Sequence, residues 1–170
     1  MDYMIADMHF GDAQIIKYEN RPFKNIEEMD QSIIDNWNHT VGLDDTVFIL
    51  GDISNYDIDK TSRIINELNG HKYLIMGNHD RHLTPNDYRN MGFEEASAYP
   101  ILYKGFYILS HEPIYLNENM PYANLYGHVH GNKTYQSVTR QSMCLCVERI
   151  DYTPISFEEI VAKMRNCNKF

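Results

Sequence analysis

Five short apolar runs in this 170-residue chain each stop at a residue type that binds metals. Tyr3-Met4-Ile5-Ala6 leads into Asp7 and His9, and Val47-Phe48-Ile49-Leu50-Gly51 leads into Asp52. Tyr73-Leu74-Ile75-Met76-Gly77 leads into Asn78, His79 and Asp80. Phe106-Tyr107-Ile108-Leu109-Ser110 ends at His111, and Leu125-Tyr126-Gly127 ends at His128, with His130 two residues on. Runs this short and apolar read as buried strands. An open α/β sheet gathers its ligands where strands end at their carboxyl side. Packing gives no reason for five strand ends to carry Asp, Asn and His, so the pattern points to a metal centre at one sheet edge.

Helical patterns separate the runs. Asn25-Ile26-Glu27-Glu28 predicts a capping box that opens a helix with Ile26, Met29, Ile33 and Trp37 on one face. Residues 57–69 predict a second amphipathic helix stopped by Gly70. Thr84 and Pro85 suit the start of a short third helix that Gly92 ends. Lys104-Gly105 between two apolar triplets predicts a hairpin, and 143–147 a further strand. Ser156-Phe157-Glu158-Glu159 is another capping box, opening a last helix through Met164. The order βαβαβα, then strands, then one helix predicts an α/β fold of mixed sheets covered by helices. With no linker or repeat, one domain over 1–170 is expected.

Composition narrows the partners. A formal charge of −9 argues against a long nucleic-acid track, where released counterions supply much of the affinity. It leaves room for a small anion, because bound divalent ions reverse the local sign. No apolar stretch approaches the roughly 20 residues that span a bilayer. Met1-Asp2-Tyr3 lacks a basic leader, so a cytoplasmic protein without a membrane partner is expected. Cys144, Cys146 and Cys167 show no CxxC spacing and read as small side chains in a reducing compartment. Cys144 and Cys146 are expected to share one face of a strand, aimed away from bridging each other.

The strand ends supply seven candidate ligands: Asp7, His9, Asp52, Asn78, His111, His128 and His130. A single catalytic zinc takes about three protein ligands. Seven suit two five- or six-coordinate ions sharing a bridging carboxylate, for which Asp52 is best placed. Nitrogen and oxygen donors without thiolate suit Mn, Fe, Zn or Ni, with Mn²⁺ expected first. Extended backbone would put Asp7 and His9 on one side, and likewise His128 and His130, since the strand period is two.

Asp7-Met8-His9, Gly51-Asp52, Gly77-Asn78-His79-Asp80, His111 and Gly127-His128-Val129-His130 resemble, in order and content, the five signature blocks of calcineurin-like metallophosphoesterases. The resemblance covers Tyr3 to Gly131 and is nearest the small single-domain proteins of bacteria and phages. Parallels to that subgroup include His9-Phe10-Gly11, Asn20-Arg21-Pro22-Phe23 and Tyr152-Thr153-Pro154-Ile155-Ser156. It implies a four-layer α/β/β/α sandwich, two mixed sheets flanked by helices. It also implies one divalent ion on Asp7, His9 and His130, a second on Asn78, His111 and His128, and Asp52 between them. The implied reaction is in-line attack of a metal-bound hydroxide on a small phosphodiester or phosphomonoester. His79 would contact the phosphoryl oxygen or protonate the leaving group, with Asp80 orienting its ring. Ile53-Ser54-Asn55 after Asp52, and His79-Asp80 in place of His-Glu, depart from the protein-phosphatase branch. Arg21 and His82 are candidate substrate contacts, Arg21 reading equally well as a surface residue. The alternative reading is a catalytically weak metal-binding scaffold or regulatory protein of the same fold.

Overall fold

Side-chain caps set most helix starts. In a computed structural model that describes residues 1–167, Asn25 Oδ1 accepts from Glu28 N at 2.8 Å and opens α2 (Ile26–Thr40). The Glu28 carboxylate accepts from Lys24 N rather than Asn25 N, so the expected reciprocal box is offset by one residue. Asp57 caps α3 (Ile58–Glu67), and Thr84 with Asp87 forms a full capping box on α4 (Pro85–Met91). Gly92 closes α4 at φ +117°, a conformation few L residues adopt. Ser156 accepts from Glu159 N at 3.2 Å and opens α5 (Phe157–Asn166). The six-residue α1 (Ala13–Tyr18), capped by Asp12, is too short to show a helical period in the sequence.

Among the described residues, nine strands build two sheets. The first runs β4 (Glu95–Ser97), β3 (His71–Ile75), β2 (Thr46–Ile49), β1 (Asp2–Ile5), β9 (Ile155–Ser156), parallel except for antiparallel β9. The second runs β5 (Ile101–Tyr103), β6 (Tyr107–Leu109), β7 (Ala123–Tyr126), β8 (Ser142–Cys144). Only β5 and β6 pair antiparallel there, joined through Lys104 and Gly105, both at positive φ as a tight hairpin turn requires. The fold is therefore α/β, two mixed sheets flanked by helices, as expected. The last three residues of the expected 1–170 span lie outside the described residues.

The strands β4 and β9 carry no sequence signal, because two or three residues at a sheet edge cannot display a period. The strand expected over 143–147 is shorter. After Cys144 the chain leaves the second sheet: Ala6 N donates to Leu145 O at 2.9 Å, and Ala6 bridges Cys146. A 3₁₀ turn over Val147–Arg149 follows. This crossing ties the two sheets together. Cys144 and Cys146 are free thiols, but their Sγ atoms lie 3.2 Å apart, facing each other rather than away. The core fills the space around the sheets, with Trp37, Phe10, Met4, Ile5 and Ile49 among its fully buried side chains. Among the described residues no helix is long and apolar enough to cross a membrane.

Candidate metal centre

Parallel register aligns the strand ends. Ile5 pairs with Ile49 and Ile49 with Leu74, so Asp7, Asp52 and Asn78 leave the first sheet along one edge. Leu109 pairs with Leu125, so His111 and His128 leave the second sheet together. The Ala6–Cys146 bridge brings these edges into contact. All seven candidate ligands therefore meet where the carboxyl ends of both sheets converge, as the apolar runs predict.

The local route differs from the expected one. Asp7, His9, Asp52, His128 and His130 do not sit on extended backbone but at φ values of 62°, 53°, 54°, 70° and 46°. Alternating left-handed residues, rather than the two-residue strand period, turn both members of each pair inward. Each such residue costs on the order of 1–3 kcal/mol, a penalty that clusters at functional sites. Two glycines allow the close approach. A Cβ on Gly77 would collide with Asp52 Oδ1, and one on Gly127 with Asp7 Oδ2.

Two clusters of candidate ligands result, Asp7 with His9 and His130, and Asp52 with His111 and His128. In the first, His130 Nε2 lies 3.6 Å from Asp7 Oδ1. In the second, Asn78 Oδ1 is 2.9 Å from both His111 Nε2 and His128 Nδ1, which are 3.1 Å from each other. Asp52 Oδ2 stands between the clusters, 3.5 Å from His9 Nε2 and 3.4 Å from His111 Nε2. Asp7 Oδ1 and His9 Nε2 are buried with no hydrogen-bond partner. Buried polar atoms left unpaired are costly, and a cation between them would satisfy both. The oxygen and nitrogen donors fit a divalent metal.

Burial and neighbouring charge set the protonation of this cluster. Burial pushes Asp7 up to about 6 and His9 down to about 4. Burial also opposes charge on Asp52 and His111, but their mutual contact prevails, holding Asp52 at about 2 and His111 at about 9. At pH 7.5 the metal-free protein thus carries a proton on His111 that a ligand nitrogen must lose. Metal affinity should therefore rise with pH until about 9. Calorimetry in buffers of different ionisation heat should show net proton release on metal binding, His111 among the groups that lose one. No net release at pH 7.5 would show that His111 does not give up a proton to the metal, against the protonation its contact with Asp52 implies.

The remaining expected site residues are distributed differently. His79 is exposed beside the candidate ligands, its ring edge-on to His9 at 5.1 Å between centroids, and its backbone N–H donates to Asp52 Oδ1 at 2.9 Å. Asp80 does not orient that ring. It is buried and accepts from the backbone N–H groups of Asp52, Gly77 and Ile53 at 2.7, 2.7 and 3.1 Å. Three amide donors hold the carboxylate toward the backbone, so Asp80 braces the turns that carry Asp52 and Asn78. His82 Nδ1 lies 2.8 Å from His79 O, and its ring lines a separate cavity beside α3 and α4. Arg21 is buried beneath the ligands with its guanidinium engaged by protein acceptors, so the expected phosphate contact does not fit its placement.

An open cavity of about 620 Å³ lies over the ligands, walled on one side by Gln14, Ile15, Lys17 and Tyr18 of α1. These α1 residues carried no signal in the sequence. Glu148 was also missed, and its carboxylate accepts from His130 Nδ1 at 3.0 Å. It follows the apolar run Leu145-Cys146-Val147 in the same way as the candidate ligands follow theirs, which is the signal that could have found it.

Known proteins resemble the chain in sequence and in fold. The chain is 35% identical over 168 residues to an uncharacterized protein of Methanocaldococcus jannaschii, covering 94% of this chain and 88% of that one. It is 36% identical over 81 residues to the gene 66 protein of Mycobacterium phage L5, a match to 46% of this chain and 39% of the phage protein. The crystal structure of a protein of unknown function from Aquifex aeolicus superposes with a TM-score of 0.73 at 29% identity, covering 96% of this chain and 98% of that one. The profile of the calcineurin-like phosphoesterases matches residues 3–159, spanning all five strand-end motifs. With both the sheet topology and the ligand clusters in place, the chain belongs to the calcineurin-like phosphoesterase family.

Proposed function

We propose that this protein is a two-metal hydrolase of small phosphate esters, phosphodiesters ahead of phosphomonoesters, with Mn²⁺ preferred and Fe, Zn or Ni as substitutes. The reading rests on one observation: a single carboxylate oxygen, Asp52 Oδ2, lies within 3.5 Å of a ligand nitrogen from each cluster. Asp7, His9 and His130 would hold one ion, Asn78, His111 and His128 the other, and Asp52 both. Two ions so held would supply an activated water and stabilise charge on the phosphoryl oxygens.

The residues of the chain do the rest. His111 Nδ1 lies 2.8 Å from Leu50 O, an arrangement that directs Nε2 at the ligand cluster. Asp80 fixes the two turns that present Asp52 and Asn78. His79 stands at the cavity with its ring free of hydrogen bonds among the described residues, placed to give a proton to a leaving alkoxide. A scaffold would leave that histidine without a task. A cavity of about 620 Å³ fits a small ester. The charge of −9 disfavours long nucleic acid as substrate.

Turnover of bis-(nitrophenyl) phosphate, nitrophenyl phosphate, 2′,3′-cyclic nucleotides, a phosphopeptide and single-stranded DNA in Mn²⁺ tests the assignment. A small diester should give the highest kcat/KM. A lead of more than about tenfold for the phosphopeptide or DNA, roughly 1.4 kcal/mol of transition-state preference, would overturn the substrate class. No turnover with any metal would favour the scaffold.

A further inference from the structure

We propose that Arg21 and Glu148 are positioning residues for the Asp7, His9 and His130 ligand cluster, an inference that rests on the metal-centre reading above. Arg21 and Glu148 are 127 positions apart, yet they form a buried ion pair directly beneath that cluster. The Arg21 side chain is fully buried and that of Glu148 is 8% exposed, so the pair is shielded from solvent and salt.

One carboxylate oxygen collects the contacts. Glu148 Oε1 accepts from Arg21 Nε at 2.9 Å, from Arg21 Nη2 at 2.7 Å and from His130 Nδ1 at 3.0 Å. The last bond assigns the His130 proton to Nδ1 and leaves Nε2 facing Asp7 Oδ1. A carboxylate behind a ligating imidazole fixes its tautomer and strengthens its basicity. The guanidinium does a second task. Nη2 donates to Asp7 O at 2.7 Å and Nη1 to Met8 O at 2.8 Å. These are the carbonyls between Asp7 and His9, the two left-handed residues that turn their side chains inward. Arg21 therefore holds the strained backbone of two ligands while Glu148 aims the third.

The other cluster does not touch this pair. His111 is oriented by Leu50 O, and among the described residues neither Arg21 nor Glu148 hydrogen-bonds to Asp52, Asn78, His111 or His128. Loss of the pair should consequently weaken one metal site and spare the other. Lysine cannot replace Arg21, because a single ammonium does not reproduce a planar fork engaging three acceptors.

Titration of Mn²⁺ into metal-free wild type, Glu148→Ala, Glu148→Gln and Arg21→Lys, followed by calorimetry with the melting temperature in parallel, tests this without substrate. Glu148→Ala should weaken one binding event by about 10–100-fold and leave the other nearly unchanged. Glu148→Gln should recover part of the loss, since its amide oxygen still accepts from Nδ1–H. Arg21→Lys should weaken the same event as Glu148→Ala. If Arg21→Lys fails to fold, the two Glu148 variants carry the test. Equal weakening of both events, or a lower melting temperature with metal affinities unchanged, would overturn the proposal. A wild type that takes one ion defeats the two-metal reading instead. In that case unchanged affinity for that ion in Glu148→Ala overturns the positioning role as well.

Discussion

Asp52→Asn should empty both metal sites at once and cut turnover by roughly 10³-fold or more, since losing even an outer partner of a metal ligand costs about 10–100-fold. The geometry makes the effect double. Asp52 Oδ2 faces a histidine nitrogen of each cluster, and the carboxylate is ionised because the His111 contact outweighs burial. The asparagine keeps the fold, because Asn tolerates the left-handed conformation at φ 54° and its oxygen can still accept from His79 N. What it removes is charge. Elemental analysis after Mn²⁺ reconstitution should find about two equivalents in wild type and far less in Asp52→Asn. His9→Ala, confined to one cluster, should lose mainly one equivalent. Mild and equal effects of both substitutions would show that Asp52 does not serve both sites.

His79→Ala should leave metal content nearly intact while turnover falls by about 10²–10⁴-fold, the reach of a positioned acid or base. His79 is not a member of either ligand cluster, and its structural tie to the centre is a backbone N–H on Asp52 Oδ1, which alanine retains. The ring itself reaches the cavity above the ligands. Removing it should therefore affect proton delivery and not metal retention. The loss should shrink for a nitrophenolate leaving group, which departs without a proton, and be largest for an alkoxide. Metal lost in step with activity would make His79 a ligand; an equal loss across leaving groups would end its role as an acid.

The corrections at Asp80 and Arg21 share a cause. Adjacent in sequence to His79, Asp80 looks like its partner, yet the carboxylate points back to three backbone amides across two turns. An arginine beside a phosphate site looks like an anion clamp, yet Arg21 finds its counter-charge on Glu148. Proximity along the chain states which residues are near, not which way their side chains turn.

The five strand ends, the Asn25, Thr84 and Ser156 helix caps, the Lys104-Gly105 hairpin and the seven candidate ligands were legible in the order of residues. Those signals are local: burial on both faces makes a strand wholly apolar, and a cap needs only the next three residues. Tertiary structure alone decided the left-handed turns that aim Asp7, His9, His128 and His130, the crossing of the chain at Cys146, and the pairing of Arg21 with Glu148. Each of these depends on contacts between segments far apart in the chain, where two sheets meet, and no short-range pattern of residues encodes which distant partner will be there.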